Sequence, residues 1–83
     1  MKTHIFNRKK YRITLAPPLD GLCTASQPVA EIFLFANLST KKGLITAIHE
    51  GLHASDWDMD EKKVDRISEE IGTFLWRLGY RTL

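Results

Sequence analysis

Apolar and polar residues change their period part-way along the chain. Tyr11-Arg12-Ile13-Thr14-Leu15 alternates and is rich in β-formers, while Glu31-Ile32-Phe33-Leu34-Phe35 is a short, almost wholly apolar run, so both predict strands. Gly21 to Ser26 predicts a third, weaker strand that Pro28 keeps short. Pro17-Pro18-Leu19-Asp20-Gly21 reads as a loop between elements. Further on the period lengthens. Leu44, Ile45, Ile48 and Leu52 recur at helical spacing behind Ser39 or Thr40, either of which suits an N-cap, and the helix runs to about Ala54. Asp60 then caps a second helix, in which Val64, Ile67, Ile71, Phe74, Leu75 and Leu78 form one apolar face and which Gly79 stops. Strands followed by helices predict an α+β fold: a two- to three-stranded sheet with both helices packed on one face.

Length sharpens this picture. At 83 residues, 1–83 is a single domain with one modest core, which a staple would stabilise. Cys23 is the only cysteine, so no disulfide forms within the chain and a bound metal is the remaining candidate. Its bland reading is a small buried hydrophobe. Met1 to Tyr11 lacks the apolar stretch of a secretory signal, and no run reaches the roughly 18 apolar residues of a membrane span, so a cytoplasmic, membrane-free protein is expected. The net charge of +2 names no partner. Lys2, Arg8, Lys9, Lys10 and Arg12 nevertheless precede the first acid, Asp20. A solvated terminus or hairpin turn explains that cluster better than a phosphate or acidic partner, and nucleic acid is not expected.

The chemistry lies in His49-Glu50-Gly51-Leu52-His53. Histidines four residues apart on a helix project from one face, so both imidazoles reach one metal ion, and Glu50 is turned about 100° away. Zinc takes two neutral imidazoles and a third protein ligand, keeps a position for water and lowers that water's pKa towards neutrality; Glu50 is then the general base. By average composition such a match arises by chance in roughly one chain of this length in several hundred. On a helical wheel the histidines fall at the rim of the apolar arc, half sheltered and accessible.

For the third ligand the second helix offers Glu61, Asp65, Glu69 and Glu70. Glu61 lies about 40° beyond the Leu75 edge of the apolar arc, at its rim, and Asp65 about 40° further out. Glu61 is the expected ligand and Asp65 the expected acceptor for the free ring nitrogen of His49 or His53. Asp56, Asp58, Asp60 and Asp65 remain alternative ligands, and a first-turn acid answering the helix dipole remains the plain reading of Glu61. Ser68 and Gly72 share the helical line of Glu61; a mid-helix glycine costs about 1 kcal/mol against alanine, which close approach of the two helices would explain. Trp57 and Trp76 are expected to close the core or pack the helices. Tyr80, Arg77, Arg81 and Tyr11 are the candidate oxyanion donors.

With these residues the chain resembles a minimal gluzincin, the metallopeptidase class in which two histidines of an HExxH helix and a glutamate from a following helix bind zinc. Glu61-Lys62-Lys63-Val64-Asp65 is similar to the family's glutamate-to-aspartate pattern, and the stretch from Leu44 through Tyr80 resembles short metallopeptidase-like proteins of bacteria and their phages. The resemblance implies a zincin-like fold, peptide or protein substrates, and the host cytoplasm if the chain is phage-encoded. It also implies that Glu31, Ile32, Phe33, Leu34 and Phe35 form the sheet edge on which an extended substrate docks. The rival expectation is a non-enzymatic, zinc-stabilised binding module that engages a host or assembly partner.

Overall fold

The basic N-terminal arm is a β-hairpin. Strand β1 (Lys2–Phe6) turns through Asn7 and Arg8 into β2 (Lys9–Leu15). Both turn residues have positive φ, 49° and 65°, the mirror-image turn whose twist matches paired strands. The computed structural model describes residues 2–15, 22–24, 30–34 and 37–80. The predicted loop at 17–21, the ends of the weak strand at Gly21, Ala25 and Ser26, and Phe35 and Arg81 lie outside the described residues. The remaining elements are β3 (Leu22–Thr24), β4 (Ala30–Leu34), α1 (Lys41–Ser55) and α2 (Glu61–Arg77).

The architecture is α+β, with four strands in the order β1-β2-β4-β3 followed by two helices. β2 and β4 are parallel, with Ile13 opposite Ile32; β1 on β2 and β3 on β4 are antiparallel. This corrects the expectation that Glu31 to Phe35 is a sheet edge. β4 is central: Leu22, Cys23 and Thr24 pair with Phe33, Ile32 and Glu31 on one side, and β2 pairs on the other. A near-continuous apolar run is the signature of such an interior strand. Its residues alternate, with Ala30, Ile32 and Leu34 buried towards α1. Glu31 points the other way and pairs with Arg12.

Among the described residues only α1 lies on the sheet, which corrects the prediction that both helices do. Thr40 caps it by accepting from the Gly43 N–H at 3.0 Å, and its buried residues are Gly43, Glu50 and Ala54. Ala54 joins Tyr11, Ala30, Ile32 and Leu34 in the core, with Phe6, Ile13 and Ala47 packed against them. A helix with small residues on its sheet-facing side can lie low on the strands. Among the described elements α2 packs against α1 alone, as a third layer. Its contact line is Val64, Ser68 and Gly72 rather than the large apolar residues, and a Cβ on Gly72 would collide with Ile45. That is the close approach its mid-helix glycine implied. Asp60 caps α2, and Gly79, at φ 89°, ends it with the Tyr80 N–H donating to the Leu75 carbonyl at 3.1 Å and the Gly79 N–H to that of Trp76 at 3.0 Å.

Candidate metal centre

One turn of α1 and the first turn of α2 bring three ligand atoms together. His49 Nε2 stands 3.2 Å from His53 Nε2 and 3.1 Å from a Glu61 oxygen, and the other Glu61 oxygen is 2.9 Å from His53 Nε2. The i, i+4 spacing places the two rings side by side, with centroids 4.8 Å apart. Asp60 starts α2 at the residue before Glu61, so the cap fixes where the carboxylate enters. His49, His53 and Glu61 could therefore hold a metal ion, with one ligand atom from each and all within 4.8 Å of one another.

Asp65 completes the arrangement from one turn further along α2, its carboxylate 3.3 Å from His49 Nδ1. A neutral imidazole that donates its Nδ1 proton to Asp65 leaves the Nε2 lone pair facing His53 and Glu61. Two imidazole nitrogens and a carboxylate thus face one another, a set that a cation could bridge and that, without one, a proton on His53 Nε2 can link by hydrogen bonds to Glu61 and His49.

Glu50 follows His49 but faces inward, and is 7% exposed. Burial pushes its carboxyl pKa above the ordinary range; the neighbouring His49 and His53 pull it down, and Glu61 adds to the rise. A carboxyl with increased proton affinity beside a candidate metal centre suits proton transfer.

Of the other candidate ligands, Asp56 and Asp60 are engaged elsewhere. Asp56 closes α1 and accepts from the Asp58 N–H at 3.1 Å, and Asp60 accepts from the Lys63 N–H at 3.3 Å. Among the described residues neither they nor Asp58 joins the cluster. Of the four oxyanion candidates, Tyr11, Arg77 and Tyr80 also fall away. Tyr11 is fully buried and accepts from Trp57 Nε1 at 2.7 Å. Arg77 is sixteen residues beyond Glu61 on a continuous helix, about 24 Å along its axis, and Tyr80 is beyond that. The Trp57–Tyr11 bond ties the loop between the helices to the sheet, a role no local pattern announces because its partners are 46 residues apart. Lys9 lies over the same indole, 5.7 Å from its centroid. Cys23 falls in β3, and its side chain lies outside the described residues.

No protein family, curated protein or solved structure matches the chain. Among the described residues no helix is long and apolar enough to cross a membrane.

Proposed function

We propose that the chain is a minimal zinc-dependent metallopeptidase acting on peptide or protein substrates in the cytoplasm, with His49, His53 and Glu61 as zinc ligands and Glu50 as general base. The observation that carries this reading is the convergence of two imidazole nitrogens and a carboxylate to separations of 2.9, 3.1 and 3.2 Å, beside the buried Glu50. Zinc binds such ligands at about 2.0–2.1 Å, and two corners of that tetrahedron stand about 3.3 Å apart. Three protein ligands rather than four is the catalytic pattern, because one position stays free.

Zinc bound there would supply an acidified water and polarise the substrate carbonyl. Glu50, buried beside the cluster, would take up a proton on its carboxylate as the nucleophile forms and return it to the leaving amine. Asp65 keeps the His49 proton on Nδ1 and so orients the ring. The substrate backbone adds to the β3 edge. A Cβ built on Gly51 would lie 3.7 Å from the Phe6 ring of β1, and Gly51 is about 160° around α1 from His49, so the histidines open away from β1 and towards β3.

The test is the metal content of the untagged chain and peptide hydrolysis by the zinc-loaded form. One equivalent of zinc is expected, with Glu50→Gln retaining it and losing at least about 10²-fold in turnover. A wild type that neither carries nor binds zinc would end this reading. The rival, a zinc-stapled binding module, draws support from the small size of the chain and from ligands that bridge α1 and α2. It predicts zinc binding without turnover.

A further inference from the structure

We propose that the flank of α2 facing away from Glu61 and Asp65 is a self-association surface, on which a second copy of this chain docks with its own α2 antiparallel. Ile71, Phe74 and Leu78 are 43%, 58% and 58% exposed, and half-buried Ile67 continues their line. Their spacing of four, three and four residues is that of a coiled-coil seam. Solvated helix faces carry polar residues at such positions, and a contiguous apolar stripe marks a contact surface.

The charges beside the seam identify the occupant. Glu70 and Arg77 lie on its outer edge, two turns apart and of opposite sign, and both are exposed. In an antiparallel pair, Ile71 of one copy meets Phe74 of the other, and Ile67 meets Leu78. The residue before Ile71 is Glu70, and it then lies beside the residue one turn after Phe74 on the second copy, which is Arg77. Two-fold symmetry makes this contact twice. A parallel pair would set Glu70 against Leu75 instead and leave both charges unmatched. Glu70 already holds Arg66 at 3.1 Å along its own helix, so it is directed along this edge. Glu61 and Asp65 lie roughly 90–180° around α2 from the stripe, so the dimer leaves the metal centre open.

Sedimentation equilibrium of the full chain from roughly 1 to 200 µM, zinc-loaded and chelated, tests this. The wild type should reach the mass of two chains and dissociate on dilution, and Phe74→Glu should stay monomeric with an unchanged circular dichroism spectrum. Glu70→Arg should raise the dimer Kd about tenfold, since it replaces two attractions by two repulsions, and adding Arg77→Glu should restore it. A wild type that remains monomeric throughout overturns the proposal and leaves the stripe to a different partner. A Phe74→Glu protein that still dimerises, or a double reversal no tighter than the single one, overturns the interface and its antiparallel register.

Discussion

The two flanks of α2 are built from the same seventeen-residue helix and meet opposite fates. One carries Glu61 and Asp65 to the histidines of α1, so its charged groups find partners within the chain. The other carries Ile71 and Phe74 into solvent, with Leu78 just beyond the helix end. Between them runs Val64-Ser68-Gly72, the line on which the two helices touch. The contrast teaches that α2 is positioned by the Val64-Ser68-Gly72 line and its carboxylates, while Ile71, Phe74 and Leu78 do little to hold it. The His49, His53 and Glu61 cluster that could hold a metal ion lies at the N-terminal end of that seam.

The comparison can be broken from the polar side first. His49→Ala removes a ligand and the Asp65 partner together, and should abolish high-affinity metal binding, a loss of at least about 10³-fold by isothermal titration, together with any thermal stabilisation by added zinc. Wild-type affinity in this variant would detach the cluster from metal binding. Gly72→Ala attacks the seam itself. A methyl group driven into Ile45 should cost about 1–3 kcal/mol in urea unfolding and loosen metal binding, because Glu61 rides on the same helix. Asp65→Asn is milder: it keeps the shape but weakens the hold on the His49 proton, and should lower zinc affinity about tenfold with little change in the fold of the metal-free chain.

Glu50 sharpens the comparison through pH. Its folded-state pKa is raised by burial, so ionising it opposes folding: nothing is lost below the ordinary glutamate range, and stability falls as pH rises through the folded value. In the metal-free chain Glu50→Gln should therefore melt higher than wild type at neutral pH, and the gap should close at about pH 4. A gap that is unchanged with pH would mean the carboxyl is not penalised. The smallest effect belongs to the apolar flank. Phe74→Ala should change monomer stability by less than about 0.5 kcal/mol in dilute urea titrations, since its ring is 58% exposed. A loss of several kcal/mol would place that ring in the core.

Much of this was legible locally. The caps at Thr40 and Asp60, the left-handed stop at Gly79 and the two helices follow from short-range patterns, and the structure agrees with each. His49 and His53 share a face because of the helix repeat alone, and helical phase favoured Glu61 and Asp65 among the acids of α2 while leaving the aspartates of the preceding loop open. Two readings failed where the answer lay in long-range pairing. An apolar run such as Ile32-Phe33-Leu34 says that a strand is covered, and says nothing about whether β3 comes to lie beside it. The large apolar residues of α2 suggested burial, yet the smaller Ser68 and Gly72 allowed the closer approach and took the contact. Arg77 and Tyr80 were chemically suitable oxyanion donors at the wrong end of a straight helix.

By itself, the sequence determined which residues could serve a metal and on which helical faces they lie, because period and capping are encoded within a few residues. The tertiary structure alone decided that the faces of α1 and α2 meet at His49, His53 and Glu61, that Glu50 is buried beside them and that β3 rather than β4 is an edge. Those outcomes depend on how closely two helices approach and on which strand fills the space beside another. Packing of that kind is set by contacts between residues far apart in the chain, and no local pattern carries it.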